Sequence, residues 1–138
     1  MHAWMVKAQS ALEDAGIHPE KSVVYMSETV SLAVLENLVH MSRQDFPVGY
    51  VLVTAVVPDK VRVLEEENII ERFGRLERRR LGDLWIDARA SAILAVRSIV
   101  VSFERNFLLK PSHPEFATIT VEPAMPFVFD ERLFGADR

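Results

Sequence analysis

From Trp4 to Ala15 the apolar residues Met5, Ala8, Ala11, Leu12 and Ala15 recur three and four residues apart, and Gly16 follows as a stop signal. This spacing predicts a short amphipathic helix. After Pro19, the segment Ser22 to Ser27 is rich in β-branched and aromatic residues and predicts a strand, ending where Ser27 or Thr29 can cap a helix. In that next helix Leu32, Leu35, Leu38 and Val39 share a face, and it runs to about Arg43, before the loop marked by Pro47 and Gly49. Tyr50 to Val57 is a nearly continuous β-branched run stopped by Pro58-Asp59, the pattern of a strand covered on both faces at the centre of a sheet.

Beyond it, Val61 to Glu65 predicts a short strand. The charged stretch from Glu65 to Arg80 has helical propensity but is divided by Gly74, so Ile69, Ile70, Phe73 and Leu76 fit two short helices. Gly82-Asp83 opens a further helix through Trp85, Ile86 and Ala90. Ile93 to Phe103 reads as one strand or two with a bend, and Asn106 to Leu109 as another. After the breakers Pro111, His113 and Pro114, Ala117 to Val121 alternates as a strand and Phe127 to Phe129 adds a last short one. Helices and strands mix without the regular alternation of a doubly wound sheet, so the expected class is a compact α+β fold with a mixed sheet.

Composition narrows the class. A chain of 138 residues, 49% hydrophobic and 26% charged, buries one substantial core and is too short for two ordinary domains. Cysteine is absent, which removes disulfide frameworks and thiolate metal sites and makes the cytoplasm the expected compartment. The four histidines have no paired ligand spacing, so no metal is expected. No signal peptide is legible near the start, and no stretch is long and apolar enough to span a membrane. The net charge of -4 argues against direct nucleic-acid binding.

Chemistry is first suggested by Tyr25 and Glu36. A residue at a strand end and one on the helix that follows meet at a single cleft, because the turn folds the helix back beside the strand. Leu35 and Leu38 flank Glu36 on the expected buried face, so its carboxylate must be partnered or shifted in pKa. On residue types alone, a core tyrosine and a boundary glutamate are the leading explanation of the pair. Arg72, Arg75, Arg78, Arg79 and Arg80 are interleaved with Glu65, Glu66, Glu67, Glu71 and Glu77, which reads as a solvated helix face or a surface for a partner protein. No Gly-rich phosphate loop or nucleophile elbow is present.

Several ordered segments carry a resemblance. Val23-Val24-Tyr25-Met26-Ser27-Glu28, Leu32-Ala33-Val34-Leu35-Glu36-Asn37-Leu38-Val39-His40, Gly82-Asp83 with Trp85, Leu94-Ala95-Val96-Arg97-Ser98, Asn106-Phe107-Leu108-Leu109-Lys110-Pro111 and Pro126-Phe127-Val128-Phe129-Asp130-Glu131-Arg132-Leu133 follow one another along the chain. Together they resemble the RES domain family, bacterial toxins that break down NAD, are paired with a helix-turn-helix antitoxin and have an ADP-ribosyltransferase-like fold. The resemblance covers 22–134 as a RES-like domain and leaves 1–21 as a helical segment that does not match, as in an N-terminally truncated or diverged member.

The resemblance implies Glu36, Tyr25 and Ser98 as catalytic residues, with Ser91 a weaker alternative to Ser98, and Tyr25, Ser98 and Asn106 as residues that bind NAD. Glu36 would stabilise an oxocarbenium-like sugar, Tyr25 would stack on nicotinamide or ribose, and Ser98 would hydrogen-bond the carboxamide or ribose. Trp85 and Phe129 are read as core aromatics. The Arg that the family places shortly before the Tyr falls here on Ala15 or Gly16, and Arg43 and Arg97 are candidates to have taken its place. The expected activity is cleavage of the nicotinamide-ribose bond by hydrolysis, phosphorolysis or ADP-ribosyl transfer, with a catalytically impaired binding protein of the same fold as the alternative. Association with itself or with a partner is also expected, through an apolar edge left by a missing opening strand.

Overall fold

A computed structural model describes residues 1–11, 23–42 and 44–135. Among these residues eight strands form one sheet: β1 (His2–Ala8), β2 (Val24–Ser27), β3 (Tyr50–Val56), β4 (Val63–Glu65), β5 (Ile93–Arg97), β6 (Arg105–Leu109), β7 (Thr120–Val121) and β8 (Met125–Phe127). The order across it is β4-β5-β6-β2-β1-β3-β7, with β8 also paired to β3. All pairs are antiparallel except β4 and β5. A parallel pair needs a crossover, and two helices supply it: α2 (Glu66–Phe73) and α3 (Arg78–Ala88). A further helix, α1 (Val30–Leu38), follows β2 and packs on β1 and β2. The chain is thus α+β with a mixed sheet.

The opening of the chain corrects the helix expected from Trp4. His2 to Ala8 is a strand, in register with β3 from His2 opposite Val56 to Ala8 opposite Tyr50. Ala3 and Met5 join the main core while Trp4 and Val6 face the other way, so the true period is two. The helical spacing rested on alanines, which fit either period. An opening strand is therefore present in the interior of the sheet. Gln9, Ser10 and Ala11 are helical, so the expected helix is borne out there; the rest of it, with Ala15 and Gly16, lies outside the described residues, as does Arg43.

β3 was expected at the centre with both faces covered. It lies instead between β1 and the short β7 and β8, and its exposure alternates, with Val51, Val53 and Ala55 buried. Its other face is partly covered by aromatics from the chain's end, where Phe129 meets Tyr50 edge to face at 5.2 Å. On α1, Leu32, Ala33 and Leu38 are buried but Leu35 and Val39 are exposed, because one short helix touches the sheet along a single stripe. Gly74 does divide two helices, with φ 82 at the end of α2. The second begins at Arg78 rather than at Gly82-Asp83. Of the run from Ile93, only Ile93–Arg97 is strand. A 3-10 turn at Pro114–Thr118, capped by His113 Nδ1 accepting from Glu115 N, replaces the first part of the strand expected at Ala117.

One face of the sheet carries a continuous core of Val53, Ala55, Ile93, Ala95, Phe107 and Leu109 with their neighbours. The opposite face is divided. Leu94, Val96 and Leu108 pack under α2 and α3 with Trp85, while Val6 packs with Ala33 and Leu38 of α1 and with Phe129 and Phe134. Trp85 and Phe129 are both core aromatics, as expected.

Candidate functional site

Between these two clusters the central strands are uncovered. Pairing of β1 with β2 is limited to Trp4 opposite Ser27, so the two strands part beyond it. The result is a cleft of about 810 Å³. Its floor includes Tyr25, Ser27 and Asn106, one wall is Ala33, Glu36 and Asn37 of α1 with His40 just beyond its end, and the other is Arg78, Arg79, Leu81 and Gly82 of α3. Such a volume suits a small-molecule ligand.

Glu36 reaches this wall because Thr29 caps α1, accepting from Leu32 N at 3.0 Å while its hydroxyl donates to Glu104 Oε1 at 2.7 Å. Asn37 fastens the helix to the sheet by donating to Val6 O at 2.7 Å and to Ala33 O at 2.9 Å. Val6 lies where β1 has left β2, so its carbonyl is satisfied by the amide. With the helix fixed, the Glu36 carboxylate sits at the boundary of the buried stripe and is partnered.

Ser98 Oγ donates to Glu36 Oε1 at 2.8 Å, and Asn106 Nδ2 donates to the same oxygen at 2.9 Å. Asn106 is oriented in turn by Ser27, whose Oγ donates to Asn106 Oδ1 at 2.7 Å. Ser98 is held by the bend that ends β5: its Oγ accepts from Val100 N at 3.1 Å and Val101 N at 3.0 Å, and its own N–H bonds to Glu104 O at 2.9 Å. Both of these bonds fall on Oε1. Oε2 has no hydrogen bond among the described residues, and Glu36 borders the cleft.

The four residues expected at the site divide by exposure. Glu36 and Asn106 line the cleft and touch each other. Tyr25 is 66% exposed on the floor, opposite Leu108 in the β2–β6 register, so it is free to meet a ligand and is no core tyrosine. Ser98 is only 2% exposed and meets the cleft through Glu36. Ser91 is elsewhere: it accepts from Trp85 Nε1 at 2.9 Å and donates to Ile93 O at 2.8 Å, a buried structural link.

Arg97 is not at this cleft. It pairs with Glu67 at 3.7 Å beside a second, more acidic hollow containing Glu28, Glu65 and Arg105. There a hydrogen bond to Glu65 holds the Arg105 guanidinium above its ordinary pKa, outweighing desolvation, with Glu28 and Glu67 adding to the effect. Sequence reading missed Ser27 and Asn37, whose roles depend on strand register, and it placed Arg78 and Arg79 on a solvated face. Among the described residues no group of three His, Asp or Glu is arranged to hold a metal ion, and no helix is long and apolar enough to cross a membrane.

Comparison with known proteins agrees with this architecture. The model of the RES domain matches residues 15–130. The chain is 30% identical over 121 residues to a Prs ADP-ribosylating toxin of Sphingobium sp. (strain YBL2), covering 81% of this chain and 74% of that protein. It is 29% identical over 123 residues to a Toxin Res of Yersinia enterocolitica, covering 84% and 80%. A Toxin Res of Photorhabdus laumondii is 27% identical over 127 residues, covering 86% and 80%. With most of its length matched by the family model and by toxins of nearly its own extent, the chain belongs to the RES domain family.

Proposed function

We propose that this protein binds NAD in the cleft and breaks the bond between nicotinamide and ribose. The observation that carries the reading is the Glu36 carboxylate, oriented through one oxygen by Ser98 and Asn106 and bordering the cleft beside the exposed Tyr25. As the C1′–N1 bond breaks, its electron pair leaves with neutral nicotinamide and positive charge develops on the ribosyl C1′ and ring oxygen. A preorganised carboxylate stabilises that charge or orients the ribose hydroxyls. Tyr25 supplies a ring face for nicotinamide or ribose. Asn106 has one amide hydrogen beyond that given to Glu36. Ser98 acts as a positioning residue for the carboxylate.

The ribosyl cation is then captured by an acceptor oxygen or nitrogen, which loses a proton. Because one relative carries the name of an ADP-ribosylating toxin, transfer to a protein acceptor is the favoured outcome, with water and phosphate as the other acceptors. The toxin names of the relatives also support neutralisation by an antitoxin, for which a helix-turn-helix protein is the proposed partner. A second reading is a RES-fold binding protein that turns over little NAD, favoured by Ala15 and Gly16 standing where the family has its Arg.

NAD consumption by the purified chain, with and without phosphate, separates the two. Loss of NAD that disappears in Glu36→Gln is the expected result, and product analysis identifies the acceptor. Wild-type loss no greater than that of the variant overturns the enzymatic reading.

A further inference from the structure

We infer that Arg79, supported by Arg78, binds the diphosphate of a dinucleotide substrate on the wall opposite Glu36, and so supplies the positive charge missing at positions 15 and 16. This rests on the NAD reading of the cleft. The two arginines open α3 and line the same cleft as Glu36, Tyr25 and Asn106. One turn on, Gly82 also lines it, and a Cβ there would meet nothing within 4 Å, so the wall is open at that position.

The charge on this wall is uncommitted. Arg97, Arg105 and Arg132 are paired with carboxylates, whereas the side chain of Arg79 makes no hydrogen bond or ion pair among the described residues. Arg78 gives one Nη2 bond to Arg97 O at 2.6 Å, which steadies the side chain without neutralising it. Glu66 is the acid nearest in sequence that borders the cleft, and its Oε1 accepts from Arg97 N at 3.0 Å. Lys7 borders the seam between β1 and β2, but alternation along β1 assigns its side chain to the face of Ala3 and Met5.

The cleft is therefore bipolar, with guanidinium groups on one wall and a carboxylate on the other. NAD has matching polarity: an anionic diphosphate and a cationic nicotinamide ring. Charge complementarity orients it with nicotinamide toward Glu36 and Tyr25 and diphosphate toward α3, where an arginine fork can take two phosphate oxygens.

The test is calorimetric titration of the full chain with NAD, ADP-ribose, inorganic pyrophosphate and nicotinamide riboside, which has no phosphate. Wild type is compared with Arg79→Gln, Arg79→Lys and the Arg78→Gln/Arg79→Gln pair. Arg79→Gln is expected to weaken NAD and ADP-ribose roughly tenfold or more, the scale of one charge-assisted contact. It should leave nicotinamide riboside unchanged, with Lys recovering part of the loss. Wild-type affinity for ADP-ribose in the double variant would overturn the inference and leave the NAD reading standing. Arg79-dependent binding of pyrophosphate without any binding of NAD would support the anion site and sink the NAD reading. Binding of none of the four ligands would sink both. Unchanged circular dichroism and melting of the variants, expected for exposed side chains, show that the fold is intact.

Discussion

Two consecutive residues of β6 point to opposite faces of the sheet and have opposite duties. Phe107 is 1% exposed in the continuous core. Asn106 borders the cleft and holds Glu36. The face behind Phe107 is packed with apolar side chains from most of the sheet, while the face of Asn106 is covered at its two ends and open between them. The contrast shows how a small domain separates stability from chemistry without a second domain. One face supplies the core, and the other leaves its central strands bare, where polar side chains that would be costly in a core become usable.

Phe107→Ala should give the largest effect. Removing a buried ring costs about 3–5 kcal/mol when the cavity cannot collapse, and two-state urea melts should show the loss directly. Asn106→Ala should cost much less stability while acting on turnover. If both substitutions destabilised equally, the division of labour between the two faces would be wrong.

Glu36→Gln sharpens the comparison from the other side. The amide keeps the shape and removes the charge, so melting should barely change while NAD turnover falls by roughly 100-fold or more, the scale for one preorganised electrostatic group. A variant that kept wild-type turnover would remove Glu36 from the chemistry.

The legible parts of the molecule are those with one dominant period. The strands at Val24–Ser27, Tyr50–Val56 and Arg105–Leu109, the helix after Thr29 and the break at Gly74 all announce themselves by β-branched runs, a cap or a glycine. Trp4 to Ala8 did not, because small alanines satisfy helical and strand spacing alike. Glu36 was legible as a carboxylate on a half-apolar helix, whereas Ser98 and Asn106 were reached only through the family resemblance and their bonds to Glu36 not at all, because they lie far along the chain and meet it only through sheet register. Arg78 and Arg79 were hidden in a run of alternating charge, where sequence cannot tell the wall of a cleft from a solvated face.

Ser98 tests whether a buried hydroxyl serves the fold or the site. Its oxygen accepts two backbone N–H groups of the 98–101 bend and donates to Glu36. Ser98→Ala should therefore lower stability by about 1–2 kcal/mol, from backbone donors left without their partner. It should also lower kcat roughly tenfold with KM nearly unchanged, because Asn106 still holds Oε1 while the carboxylate gains freedom. A loss of stability with no change in kcat would make the serine structural only, and would move the positioning of Glu36 to Asn106 alone.

Tyr25 should show the smallest effect on the fold and the clearest separation of binding from stability. Its ring is 66% exposed although it stands in the middle of a strand between β1 and β6, a place where exposure normally disappears. The ring is bare because α1 and α3 stop on either side of it. Tyr25→Ala removes little buried surface, so the change in unfolding free energy should stay within about 0.5 kcal/mol. Loss of a stacking face is worth about 0.5–1.5 kcal/mol, which predicts a rise of roughly threefold to tenfold in the Kd for NAD. Tyr25→Phe should restore that affinity if the ring face is what matters. Recovery by Phe would identify the exposed tyrosine as a stacking platform, whereas failure would assign its role to the hydroxyl, and a large drop in melting temperature with Ala would return Tyr25 to the core.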